Sequence, residues 1–125
     1  MTDINPHLLT MGRLLLAVIF VMAGVNKIFG YAGTQQYMES YGVPGFLLPL
    51  VIALELGGGL AVAAGFMTRW AAQALAVFTL LSAFIFHFDF GDQAQSIQFM
   101  KNLAIAGGLL ALSVSGQGAW ALGKN

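Results

Sequence analysis

The chain has 125 residues, 58% of them hydrophobic and only 8% charged, whereas a soluble domain carries about one-quarter charged residues. Its five basic and five acidic side chains are spread singly, so no basic tract exists to hold nucleic acid. The absence of cysteine removes disulfides, thiolate chemistry and Cys-ligated zinc or iron–sulfur centres.

Lipid is therefore the expected solvent. Four apolar runs, at residues 12–31, 46–66, 70–88 and 99–115, each approach the ~20 residues that cross a hydrocarbon core. Four spans are too few for a closed barrel, and lipid offers no partners to open backbone groups, so all four are predicted to be helical. The expected fold is an all-α membrane protein, a four-transmembrane-helix bundle forming one domain over residues 1–125. The lipid bilayer is its first partner.

Residues 1–11 read as a polar tail. The first apolar run is too long for a signal peptide and is followed by three more. Between spans one and two, Tyr37 and Tyr41 stand four apart within T-Q-Q-Y-M-E-S-Y, which predicts a short helix held at the membrane interface by its aromatic rings. Pro49 falls in the first turn of span two, where a missing amide hydrogen is tolerated. Spans two and three form a tight hairpin, with Gly65 as the expected C-cap and Thr68 as the expected N-cap. The stretch from Asp89 to Gln98 reads as a solvated loop in which a helix restarts near the end, and residues 116–125 read as a small polar tail.

Basic residues near span ends favour the cytoplasm. With both termini inside, Arg13, Arg69 and Lys124 are cytoplasmic, and Lys27 and Lys101 lie toward the outer face with Glu39, Asp89 and Asp92. The expected location is the bacterial inner membrane.

The most informative stretch is E-L-G-G-G-L-A-V-A-A-G, from Glu55 to Gly65, because it sets a carboxylate inside an apolar run. A group at that depth needs a partner, a proton or a water-lined space, so it is a functional-site hypothesis. Glu55 is predicted ~13 Å below the outer end of its span at about 1.5 Å per residue. Lys27 and Lys101 lie about one turn below the same surface, with Asn26 and Asn102 beside them and His87 at the end of span three. Either lysine can reach inward to Glu55, and Arg13 can reach from the other end. The candidate ligand or proton site is thus Glu55, Lys27, Lys101, His87, Asn26, Asn102 and Arg13, against the plainer reading of a structural ion pair.

Each span also carries a small or polar stripe: Arg13, Ala17, Phe20, Gly24 and Lys27 on span one; Glu55, Gly58, Gly59 and Val62 on span two; Arg69, Gln73, Ala76, Leu80, Ala83 and His87 on span three; Lys101, Ala104, Gly108, Ala111 and Ser115 on span four. Such stripes let helices approach closely, so Gly24, Gly58, Gly59 and Gly108 are expected to pack. Gly57, Gly58 and Gly59 form no phosphate loop, lacking the following Lys-Ser/Thr pair. Ser82 and His87 have no orienting acid. His87, Asp89, Asp92 and Glu39 lack dense metal-ligand spacing, and His7 and His87 fall on opposite faces, so neither a metal site nor a haem is expected.

The segments G-R-L-L-L-A-V-I-F-V-M-A-G-V-N-K, E-L-G-G-G-L-A-V-A-A-G-F-M-T-R, the F-H pair at Phe86 and His87, and F-M-K-N-L together resemble the DoxX family of small bacterial and archaeal membrane proteins, in particular its uncharacterised proteobacterial inner-membrane branch. The resemblance implies a four-span inner-membrane protein. The family takes its name from a membrane subunit of an archaeal quinone-linked oxidoreductase, and some relatives are associated with redox stress or with catechol and quinone tolerance.

Three functions follow. The first is an accessory component of a redox or detoxification system, binding a quinone-like or other lipophilic small molecule near Glu55, with a membrane or peripheral redox partner or a second copy of itself. It would be a membrane subunit, since the chain carries no self-sufficient catalytic constellation. The second is a small-solute or proton-coupled transporter in which Glu55 titrates. The third is a scaffold subunit in which Glu55 only locks helix register.

Overall fold

The computed structural model describes residues 5–116, 118, 121 and 122. Among them it is all-helical, with five helices and no strand. We label these α1 (Pro6–Phe29), α2 (Tyr31–Ser40), α3 (Gly45–Ala64), α4 (Thr68–Phe86) and α5 (Gln93–Ser115). All but α2 are long and apolar enough to cross a membrane.

Several boundaries differ from the sequence expectation. Helix α1 starts at Pro6, so much of the expected tail is helical. Asn5 caps it, its side chain accepting from the His7 and Leu8 amides, and Pro6 gives up no bond in the first turn. Helix α5 likewise begins at Gln93, because the Asp92 carboxylate accepts from the Ala94 amide; the solvated loop is confined to its first few residues. The α3–α4 hairpin ends on Gly65 at φ 71°, the left-handed C-cap that glycine favours. Thr68, however, is the first residue of α4, and Met67 at φ 49° holds the N-cap position. The expected position of Lys124 lies outside the described residues. The described part of the C-terminal segment folds back onto the bundle, with the Leu122 amide donating to the Ala64 carbonyl at 2.9 Å.

Around the bundle, α1 packs on α3, α3 on α4, α4 on α5, and α5 closes on α1. The centre is filled by Phe20, Val62, Leu75, Ala76 and Leu109. On α1 the buried residues are Thr10, Arg13, Ala17, Phe20 and Gly24, which is the stripe read from the sequence with Thr10 added and with Lys27 only half-buried. On α5 the stripe is displaced. Lys101, Ala104 and Ala111 are exposed, and the buried face is carried by Phe99, Ala106, Leu109 and Leu112.

Helix α3 is not uniform. It opens with a 3-10 turn at Gly45–Leu47, continues as α-helix over Leu48–Ile52, widens to a π-turn at Ala53–Gly57, and returns to α-helix at Gly58–Ala64. Its Gly58–Ala64 half packs on α4, but the backbone of Leu48–Ile52 stays clear of α4. The gap is capped by α2, whose Tyr37 stacks on Phe86 of α4 at 5.5 Å while Tyr41 meets the same ring edge-on at 5.2 Å. The aromatic residues of α2 thus dock on a neighbouring helix end. Burial, then the Tyr41 hydroxyl beside it, pushes the Tyr37 phenol above the usual tyrosine range.

Candidate functional site

The site is built on a close approach of α1 and α3. A Cβ placed on Gly24 would lie 3.0 Å from the Leu56 Cβ and 3.2 Å from its amide nitrogen. One placed on Gly59 would lie 3.0 Å from the Phe20 Cβ and 3.1 Å from the Val21 nitrogen. Two glycines therefore let α1 and α3 meet backbone to backbone, as small residues do between membrane helices. Gly58 and Gly108 also face side chains, Leu75 and Leu16 respectively.

This contact brings Lys27, in the last turn of α1, against Glu55 in the π-turn of α3. The Lys27 Nζ stands 2.8 Å from the Glu55 Oε1. Glu55 is 5% exposed, and the lysine, with 28% of its side chain exposed, reaches inward rather than snorkelling away. A π-turn adds a residue to the helix and is frequent at functional positions.

The pair forms one wall of a cavity of about 510 Å³, in the size range of small-molecule sites. Phe20 and Ala23 of α1, Met38 of α2, Val51 of α3, Phe78 of α4 and Ile105 of α5 supply its apolar surface. Polar groups converge from other helices. Asn102 of α5 donates its Nδ2 to the Thr79 carbonyl at 3.3 Å, and Thr79 donates its hydroxyl to the Leu75 carbonyl at 2.7 Å. The His87 Nδ1 lies 2.6 Å from the Gln95 Oε1; with that oxygen as acceptor, Nδ1 carries the hydrogen and Nε2 is left as an acceptor. Such a site offers donors and acceptors to a ligand held mainly by apolar walls.

In a comparison with sequence families, the DoxX model matches residues 8–88, in keeping with the helical spans of the fold. The chain belongs to the DoxX family. It is an integral inner-membrane protein. It is 56% identical over 112 residues to the Inner membrane protein YqjF of Escherichia coli (strain K12), covering 90% of this chain and 86% of that protein. It is 36% identical over 127 residues to the Inner membrane protein YphA of the same organism, covering 96% and 91%. A partial match, 37% identical over 73 residues, covers 58% of this chain and 54% of a Bacillus subtilis (strain 168) protein named "Putative oxidoreductase CatD". No solved structure matches.

The DoxX match spans Lys27, Glu55 and His87, while Asn102 falls beyond it. Of the seven residues singled out in the sequence, these four line the cavity. The other three do not join them. Lys101 and Asn26 are exposed on their helices. Arg13 is buried at the opposite end, 1% exposed, where it lines a smaller cavity of about 220 Å³ with Leu16 and Leu112. Along α1 it is about 21 Å from Lys27, at 1.5 Å per residue, too far to share Glu55. Among the described residues, no three His, Asp or Glu side chains gather where a metal ion could be held.

Sequence reasoning missed Thr79, Ser82 and Gln98, which also line the cavity, and Gln95, which holds His87. The available signal was a polar side chain within an apolar span: Thr79 and Ser82 in α4 lie one turn apart, facing the glutamate's side of the bundle.

Proposed function

We propose that this DoxX protein is a membrane component of a redox or detoxification system, and that its cavity holds a lipophilic small molecule with hydrogen-bonding oxygens, a quinone being the prime candidate. One observation carries this reading: the Lys27–Glu55 pair and Asn102 come to one apolar cavity of ligand size. A ring oxygen there could accept from the Lys27 ammonium while the Glu55 carboxylate takes or returns a proton. The oxidoreductase name of CatD supports the redox half of the proposal. The residues carry binding and proton handling but no electron carrier of their own, so the reading is of a membrane subunit working with a redox partner. We also propose that both termini face the cytoplasm and that the cavity lies in the outer half of the membrane.

Isolation in mild detergent, followed by mass spectrometry of extracted small molecules and co-purifying proteins, tests the proposal. A quinone recovered with the wild-type protein and lost from Glu55→Gln is the expected result. Protein that repeatedly carries none, and takes up none when ubiquinone is added, overturns it.

A second reading has its own support. The 2.8 Å contact between Lys27 and Glu55 pairs the two charges across the helices, as a device that locks the register of α1 on α3 would require. On that reading Glu55→Gln lowers stability in detergent while partner-dependent activity, at equal abundance, is unchanged.

A further inference from the structure

Two features of the cavity define what it can take and from where. The first is charge. Lys27 and Glu55 are the only lysine, arginine or carboxylate side chains on its described wall. They are in contact with each other, so the formal charges sum to zero. A proton passing between them leaves that sum unchanged. A carboxylate or phosphate entering the cavity would find its one cation already engaged and an anion beside it, and desolvating such a ligand would go uncompensated. A neutral hydroxyl or carbonyl group suffers no such loss, because it can accept from Lys27 or donate to Glu55 without displacing either partner.

The second is access. Ile19 of α1 and Leu81 and Ile85 of α4 line the cavity, yet they are 49%, 57% and 42% exposed on helices that cross the membrane. Their outer surface faces lipid. Toward the membrane edge the Tyr37 and Phe86 rings line the same space and Tyr41 packs on both, covering it in part. An opening therefore lies between helices, at the level of the acyl chains.

We infer that the cavity is filled sideways from the bilayer, by neutral amphiphiles whose uncharged hydrogen-bonding head rests on the Lys27–Glu55 pair, and that it discriminates against anionic amphiphiles of the same shape. This rests on the ligand-binding reading above and narrows its chemistry.

The test uses the full chain in nanodiscs of zwitterionic phosphatidylcholine at pH 8.5, with 4-nonylphenol and 4-nonylbenzoate as probes, compared at equal concentration in the bilayer. Binding is read from the dose dependence of thermal stability. The phenol is expected to bind the wild-type protein at least about ten-fold tighter than the benzoate, a difference of about 1.4 kcal/mol. Glu55→Gln gives the site a net positive charge and should abolish or invert the preference. Should that variant not fold, Thr34→Lys adds a cation to the half-buried wall near the water and should do the same. Equal binding of both probes to the wild type, or a preference unmoved by the added charge, overturns the charge rule. If neither probe binds, the ligand-binding reading itself fails. For access, a nitroxide on Ser82→Cys, unique in a chain without cysteine, should be relaxed more by oxygen than by a water-soluble nickel chelate, as at the lipid-facing Val77→Cys. Relaxation by nickel equal to or above that by oxygen overturns entry from the lipid.

Discussion

Replacing Lys27 by methionine removes the cation from Glu55 while keeping most of the aliphatic stem that packs at the end of α1. The carboxylate is 5% exposed and stands 2.8 Å from the ammonium, so it is left buried without its charge partner. Breaking a fully buried pair costs about 3–5 kcal/mol. Here the lysine is partly exposed, 28% of its side chain, and part of its interaction is already screened. The expected loss is therefore about 1–3 kcal/mol. Removing both charges, in Lys27→Met with Glu55→Gln, should recover much of this, because the double variant leaves no unpaired ion. Reversible unfolding of the four proteins in mixed micelles gives the cycle, with an expected coupling of about 1–3 kcal/mol. A Lys27→Met protein as stable as the wild type, or single losses that simply add, would refute the claim that these two charges hold each other.

Gly24→Ala forces a methyl to 3.0 Å from Leu56 at a backbone contact and should destabilise by about 1–3 kcal/mol, whereas Gly107→Ala, with nothing within 4 Å, should be neutral or stabilising by up to about 1 kcal/mol; denaturant titration compares them. Asp92→Ala removes the cap on α5 and should cost about 0.5–2 kcal/mol, with faster amide exchange over the first turn of that helix. The raised Tyr37 phenol binds its proton more firmly in the folded state than in the unfolded one. Its contribution is thus complete below the ordinary tyrosine range near pH 10 and is lost as pH rises through the higher folded value. Thermal stability should fall more steeply above pH 10 in the wild type than in Tyr37→Phe, and identical profiles would dismiss the role of that group.

The spans were legible because lipid demands long apolar helices, and Glu55 was legible because a carboxylate within one is costly. The choice between Lys27 and Lys101 was not. Both stand one turn from the same surface, and only the Gly24 and Gly59 contacts, which bring α1 rather than α5 against the π-turn, decide it. The phase of α5 was misread for a related reason. In lipid both faces of a helix can be apolar, so Ala104 and Ala111 looked as suitable for packing as Ala106 and Leu109, and Asn102 passed for a neighbour of Lys101 when it is the residue that faces inward. Nothing in A-L-E-L-G distinguishes a π-turn from an α-turn, since no residue in it takes a left-handed backbone angle that would mark the place. The start of α1 could have been read from Asn5 and Pro6, a cap followed by a proline in the first turn.

The pairing of Lys27 with Glu55 also bears on the order in which the protein is made. Lys27 lies at the end of a span that leaves the ribosome before the one carrying Glu55, close enough to the headgroups to wait there with its ammonium in water. Glu55 follows in the second span, well inside it, and an acidic group at a helix centre opposes insertion by about 2.5–3.5 kcal/mol. If the first two spans meet as the second enters the bilayer, the waiting lysine offsets that cost; if they meet later, the glutamate must first cross into lipid on its own. Their contact thus favours insertion of α1 and α3 as a unit, before α4 and α5 are added.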